Sequence, residues 1–407
     1  GTLRLASFAD MRTLDPAAAG DAFSGEAVHA LYAGLFDFDA RGELTPEVAE
    51  RAETGDDGRL VRVWLRSGVR FHDGSEVTAD DVARSLRRAL HPTSLSPFAP
   101  AFERLDGYAA FRNGSATTLP GVTVEGRYTL AFRLTEPDAT FLPALALFPA
   151  RPVCPSLGEH PEAGAAPCGA GPFRALPGAW EPGVRLRLVR HAMYFRPGYP
   201  RLDAVEWTFR VAPSAQRLRF LRGELDVTRE LAQGELTRFL RDPRWRPFVV
   251  ADAPRQVLGE AMNVEVPPFD NVEVRRAVAA AVDRAALARL KPGMLEPHGQ
   301  LLPRSVPLFD PDATEQHSDL DAAREHMRRA GYPFDPTTGD GGYPAEVRYV
   351  AYRQGLPEYT AQLVQQQLAR IGLRLRLELV SFSAYLAETH RRGAVPLSPQ
   401  GWAQDTP

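Results

Sequence analysis

RSGVRFHDGSEVTADDV, residues 66–82, joins the end of a strand, a tight turn and the start of a helix in one short stretch. Just upstream, Val61, Val63 and Leu65 alternate with Arg62, Trp64 and Arg66, the two-residue period of a strand with one apolar face. His72-Asp73-Gly74 supplies turn chemistry, and Gly74 tolerates backbone angles that a side chain would oppose. Thr78 is placed as an N-cap with Asp81 three residues on, the spacing at which a carboxylate reaches back to the cap. Val82, Leu86, Ala89 and Leu90 then share one helical face, with Arg84, Arg87 and Arg88 assigned to the outside.

The same alternation of periods continues downstream. Val184, Leu186 and Leu188 mark a strand, and Ala204 to Val211 reads as another. A helix starts near Pro213-Ser214 and stops at Gly223. One helix is expected over 272–290, with Val274, Val278, Ala281 and Ala285 inward. The next is assigned Ser318 as its cap, Leu320, Ala323, Met327 and Ala330 as its stripe, and Gly331 as its end. Ala361, Val364, Leu368 and Ile371 form a stripe closed by Gly372. Leu373, Leu375, Leu377 and Leu379 follow, alternating with Arg374, Arg376 and Glu378. Helix and strand succeeding each other in this way imply α/β lobes with layered sheets. These stripes specify core and carry no information about a ligand. No repeat of fixed period interrupts the pattern.

At 407 residues the chain is long enough for two or three domains of roughly 100–200 residues each. Its 44% hydrophobic and 24% charged residues are ordinary for a folded globular protein. The net charge of -3 lacks the basic bias that phosphate backbones demand, so no nucleic-acid partner is expected. Lys291 is the only lysine, and the arginines are scattered rather than clustered. No apolar run reaches the roughly 18 residues of a membrane-spanning helix. The opening Gly1-Thr2-Leu3-Arg4-Leu5 reads at once as strand and lacks an initiator methionine, which implies a processed N-terminus. Cys154 and Cys168 sit in a loop rich in Pro, Gly and Ala, at a spacing unsuited to a zinc knuckle. Two readings stand. A disulfide would close a short loop, contribute roughly 3 kcal/mol and suit an oxidising compartment; two free thiols would suit the cytosol.

Catalytic signatures are missing. There is no GxxxxGKS/T phosphate loop, no HExxH and no CxxC, and no GxSxG elbow. Gly169-Ala170-Gly171 is half a dinucleotide fingerprint, spoiled by Pro172 and Arg174. The nine histidines include no i, i+4 pair, so no local metal-binding pair exists. Asn113-Gly114-Ser115 matches a glycosylation sequon but reads as a polar turn. The expectation is a protein that is not an enzyme and needs no cofactor or metal.

The stretch at 66–82 resembles a hallmark block of the extracellular solute-binding proteins of ABC importers, family 5, whose members serve oligopeptide, dipeptide and nickel uptake. Other matches follow in the family's order: Leu14-Asp15-Pro16, Leu31-Tyr32-Ala33-Gly34-Leu35, Cys168-Gly169-Ala170-Gly171-Pro172-Phe173, Gly223-Glu224-Leu225-Asp226, Pro268-Phe269, Val274-Arg275-Arg276-Ala277, Ala330-Gly331-Tyr332 and Gly401-Trp402-Ala403-Gln404-Asp405. The resemblance implies an α/β, bilobed periplasmic-binding-protein type II fold with an extra small domain inserted in lobe I. Lobe I would hold 1–37 and 166–258, the inserted domain 38–165, and lobe II 259–407. Family members continue past the last of these segments, so the resemblance implies that lobe II is incomplete here and the segment returning to lobe I is missing, as in a fragment or a natural truncation.

The resemblance also implies function. The chain would be the substrate-binding component of an ABC importer, a monomer in the periplasm or otherwise outside the cytoplasm, with a lipid anchor before processing as one form. It would capture a small-molecule or peptide ligand between two lobes and deliver it to the ABC permease in the membrane. In peptide-binding relatives the Asp of the GWxxD segment pairs with the ligand ammonium; here that is Asp405, with Trp402 packing on the ligand. Arg353, beside Tyr352, falls where a carboxylate-binding arginine is expected, and Asp21 and Phe23 fall where the first lobe contributes contacts. For each residue a purely structural role is the competing assignment. Rival solutes are a nickel complex, an opine or an oligosaccharide. Rival functions are the sensor module of a transcriptional regulator and an enzyme with an unrecognised site.

Overall fold

The computed structural model describes residues 1–39, 41–157, 167–231, 234–250, 256–292, 295–302, 309–313, 316–353 and 355–403, the last two in this range by backbone only. Two compact units divide the described residues: Gly1–Val211 with Leu218–Thr228, and Ala212–Arg217 with the described residues from 229 to 403.

The first unit contains, in order, β1 (Thr2–Ala6), α1 (Ala22–Leu31), β2 (Phe36–Phe38), β3 (Leu44–Pro46), β4 (Ala49–Gly55), β5 (Leu60–Leu65), α2 (Ala79–Leu90), α3 (Tyr108–Arg112), β6 (Val122–Gly126), β7 (Thr129–Arg133), α4 (Phe141–Ala144), β8 (Phe173–Glu181), β9 (Arg185–Arg190) and β10 (Ala204–Thr208). A sheet ordered β1-β10-β9-β8 pairs the first strand in parallel with the last. Leu186, Leu188, Val205 and Trp207 pack on Val28 and Leu31 of α1. A second sheet, β4-β5-β7-β6, carries its own core, in which Val61, Val63 and Leu65 meet Val82, Leu86 and Leu90 of α2.

The stretch at 66–82 folds as its residues dictate. Phe71 N donates to Ser75 O at 2.8 Å and Gly74 N to Phe71 O at 3.0 Å, with Gly74 at φ 89°. Asp81 Oδ2 accepts from Thr78 N at 3.0 Å and from Thr78 Oγ1 at 2.7 Å. Arg88, expected outside, is only 3% exposed. Its guanidinium grips the Asp15 carboxylate with two bonds, 2.8 and 2.6 Å. Burial of this arginine is tolerable because the pairing is bidentate and charged.

His72 reaches across to the chain where it re-enters the first sheet. His72 N donates to Gly169 O at 2.8 Å, Gly169 N donates to His72 Nδ1 at 3.2 Å, and His72 Nε2 lies 3.2 Å from Gly171 O. Accepting at Nδ1 and donating at Nε2 requires the neutral ring, and burial, above all other effects, pushes its pKa down to about 4. Gly171 N donates to Leu31 O at 3.0 Å. A Cβ on Gly169 would come within 2.3 Å of the Tyr32 ring, and one on Gly171 within 2.4 Å of the Leu31 backbone, so both glycines are required by close approach. Cys154 and Cys168 form a disulfide with Cα atoms 5.4 Å apart, pinned also by Cys154 N donating to Cys168 O at 3.0 Å.

α5 (Pro213–Leu221) spans the boundary between units. The second unit continues with α6 (Glu235–Arg241), β11 (Gln256–Met262), α7 (Val272–Ala281), α8 (Arg284–Ala288), α9 (Leu320–Arg329), β12 (Val347–Tyr352), α10 (Leu356–Ala369), β13 (Leu375–Val380), α11 (Phe382–Thr389) and β14 (Leu397–Ala403). Its sheet runs β11-β14-β12-β13. Tyr349, Ala351 and Leu397 pack with Val274 and Val278 of α7, Met327 of α9 and Val364 and Leu368 of α10.

Three expectations are corrected. The single helix over 272–290 is two, because Asp283 leaves the helical conformation and its carboxylate caps α8 through Ala286 N at 2.9 Å. The cap of α9 is Asp319, which accepts from Asp321 N and Ala322 N, and not Ser318. The β10 ladder ends at Thr208, and Arg210 adopts φ 57°.

Replacing Asp15 by Ala strands a buried guanidinium, and urea unfolding should show a loss of about 3–5 kcal/mol; an unchanged midpoint would show that the pair carries no weight. The disulfide spans a sequence separation of 14, and its reduction, or Cys154→Ser with Cys168→Ser, should lower stability by roughly 3 kcal/mol in the same assay.

Candidate functional site

In open α/β sheets, ligands collect at the carboxyl ends of parallel strands. Each unit has such an end, and the candidate residues distribute between them.

In the second unit β14 lies antiparallel to β11 and parallel to β12, with Tyr349 level with Leu397. Tyr352, Arg353, Gly401 and the backbone of Trp402 therefore belong to the same end of this sheet. Arg353 is exposed. Its backbone N donates to Val380 O at 2.7 Å, and Nη2 makes one long bond to Leu379 O at 3.4 Å. Tyr352 is half-buried, with its ring 5.0 Å from that of Phe382 and 5.1 Å from that of Tyr385. Burial pushes its hydroxyl up to about 12. The packing gives Tyr352 a visible structural role. Asp405 and the Trp402 side chain lie outside the described residues.

In the first unit, Asp21 and Phe23 stand at the start of α1, in the chain that follows β1. Asp21 Oδ1 accepts from Phe23 N at 3.1 Å and Ser24 N at 2.9 Å, the work of a helix cap. Phe23 is half-buried and meets Phe8 edge-on at 5.5 Å. Asp10, in the same segment, has a buried Oδ1 without a hydrogen-bond partner, while its Oδ2 lies 3.6 Å from Arg210 Nη2.

Sequence reasoning missed Glu260. It sits on β11, the edge strand, directly opposite Pro399. Its half-buried carboxylate accepts from Tyr349 Oη at 2.8 Å. Burial pushes the carboxyl up to about 8, with the Tyr349 bond acting in the opposite direction. A signal was present: Leu258, Glu260 and Met262 share one face of the strand, so an acid interrupts an apolar alternation.

One potential metal cluster occurs among the described residues, Asp73 with Cys154 and Cys168, whose ligand atoms lie within 4.8 Å of one another. Both sulfurs are spent in the disulfide, which leaves no ligand set there.

Residues 43–407 match the sequence pattern of the bacterial extracellular solute-binding proteins, family 5, middle region. The chain belongs to this family. The glutathione-binding protein GsiB of Escherichia coli is 27% identical over 402 residues, covering 97% of this chain and 73% of GsiB. The solved murein tripeptide binding protein MppA of Escherichia coli superposes with a TM-score of 0.88 at 23% identity, over 100% of this chain and 80% of MppA. AgaA of A. tumefaciens, solved with agropinic acid, gives 0.84 at 24% identity, over 100% of this chain and 78% of AgaA. These likenesses establish the bilobed α/β binding-protein fold, and the family is one of solute-binding proteins of ABC importers rather than of enzymes.

The Glu260 carboxyl makes a testable statement about stability. It holds its proton in the folded chain from the ordinary value of 4.5 up to about 8, whereas the unfolded chain releases it. The folded state thus binds more protons in that window, and its stability falls as pH rises through it. E260Q removes the penalty, so its Tm should exceed that of the unsubstituted protein at about pH 9 and match it at about pH 5. A constant offset across pH would contradict the assignment.

Proposed function

We propose that this solute-binding protein captures a short peptide and hands it to an ABC permease outside the cytoplasmic membrane, acting as a monomer. The observation that carries the reading is the placement of Gly401-Trp402 at the end of β14, a central strand of its sheet, with Arg353 at the same end of β12. An exposed glycine on a strand end leaves backbone open to an extended ligand, and main-chain hydrogen bonds supply affinity without regard to side chain. Arg353 would meet the ligand carboxylate and Asp405 its ammonium, each by a charge-assisted hydrogen bond. Trp402 would pack on the ligand, with Asp21 and Phe23 contributing from the first unit. Lobes of 1–37 with 166–258, and of 259–407, would close around the solute by hinge motion, with 38–165 as the inserted domain. Relatives support the class: GsiB is a glutathione-binding protein and MppA a murein tripeptide binding protein.

Native mass spectrometry of the protein as purified tests the reading. The expected result is a set of bound masses that fragment as short peptides and disappear in D405A. A single non-peptide mass, such as an opine, an oligosaccharide or a nickel complex, would keep the import role and replace the ligand; AgaA with agropinic acid shows that this fold accepts one. An empty protein without thermal shift on peptide, sugar and metal-chelate panels would overturn the receptor reading in favour of a sensor.

A further inference from the structure

Glu260 has chemistry that capture of a peptide backbone does not use. Opposite residues of an antiparallel pair share a face, so the register of β11 with β14 places Leu258 with Gly401, Glu260 with Pro399 and Met262 with Leu397 on one side of the sheet. Met262 and Leu397 belong to the core of the unit. Leu258 is 47% exposed, and Gly401 is exposed beside it. Glu260 is therefore the step between a closed core and an open strand end. A Cβ on Gly401 would meet Gln256 Nε2 and Leu258 Cδ2, each at 2.8 Å, so a side chain there would crowd the approach that glycine leaves clear.

The carboxylate at this step is oriented but not neutralised. Tyr349, from β12, holds one oxygen at 2.8 Å and is itself fully buried. Tyr385, from α11, is the other titratable group that faces it, and its own hydroxyl donates to Pro399 O. Among the described residues no arginine, lysine or histidine contributes to the charge state of Glu260. A carboxyl partly withdrawn from water and without a cation beside it is costly to ionise, and it gains a strong partner when a cation is delivered with good geometry.

We propose that Glu260 is a specificity-determining residue of the solute site and takes a cationic group of the solute, an ammonium or guanidinium. The inference rests on the receptor reading above, but not on the solute being a peptide. Since burial holds the carboxyl near 8, the empty site is largely protonated at neutral pH, and arrival of a cation expels that proton to solvent. Solute capture is then coupled to proton release, and a neutral solute of the same shape is disfavoured because it leaves the acid without its partner.

Titration calorimetry with Ala-Ala-Ala, Lys-Ala-Ala, Ala-Lys-Ala and Ala-Ala-Lys tests this on the full chain. At least one lysine peptide should bind about tenfold or more tightly than Ala-Ala-Ala, the size of one charge-assisted contact. Its binding heat at pH 7 should differ between phosphate and Tris buffers, reporting proton release. In E260Q, whose amide still accepts from Tyr349, both the preference and the buffer dependence should vanish. Preference and proton release that persist in E260Q would overturn the proposal. If no tripeptide binds, the peptide reading fails separately, and free arginine and spermidine become the probes. Binding of either that E260Q abolishes upholds the role of Glu260, and the absence of any Glu260-dependent cation binding refutes it.

Discussion

The first unit depends on closing a very long excursion. Its main sheet takes β1 from the start of the chain and β8, β9 and β10 from beyond residue 172, with a second sheet and core built in between. Loop closure costs entropy that grows only slowly with length, but the two ends must still be locked. That lock is the meeting of His72 with Gly169 and Gly171, the bond from Gly171 N to Leu31 O, and the disulfide between Cys154 and Cys168. The HDG turn is thus the grip of the intervening chain on the point where the first sheet resumes. The neutral imidazole is essential to it, because a second proton on the ring would confront the Gly169 N–H with another donor.

The Asp15–Arg88 pair acts in the same sense. Asp15 belongs to the opening Leu14-Asp15-Pro16, and Arg88 to the helix that follows the HDG turn. One ion pair fixes the start of the first sheet's connection to the second core. Burial of Arg88 makes the geometry unforgiving on its side of the pair, since the guanidinium has no water to replace the carboxylate, while Asp15 keeps part of its surface exposed.

Most of the architecture was legible from residue type and period. The stripe of Ala361, Val364 and Leu368 is buried as its spacing requires, and so is the alternation of Val61, Val63 and Leu65. Local signals failed where a side chain had a partner far away or a competing cap nearby. Arg88 looked solvent-facing because its partner is remote in sequence, and Asp283 divided a helix because its carboxylate satisfies the next one's amides better than continuation would. The candidate residues at the ends of β12 and β14 come from family resemblance rather than from physics, because an arginine or tryptophan at a strand end looks like any surface residue. Glu260 could have been found without resemblance, since a lone acid on an apolar strand face asks for an explanation.

The order of strands has a consequence in time. In both units the sheet is completed by pairing early chain with late chain: Thr2 lies opposite Ala204, and Met262 opposite Leu397. β14, delivered last among the described strands, enters between β11 and β12 rather than at an edge. A chain emerging from its N-terminus can form helices such as α2 at once, but neither of these sheets until its distant partner strand has arrived. Contacts so far apart in sequence make for slow closure. Each of these two sheets therefore stays open until its late strand has been made, whereas the sheet β4-β5-β7-β6, built from neighbouring stretches of chain with a core of its own, can close before either.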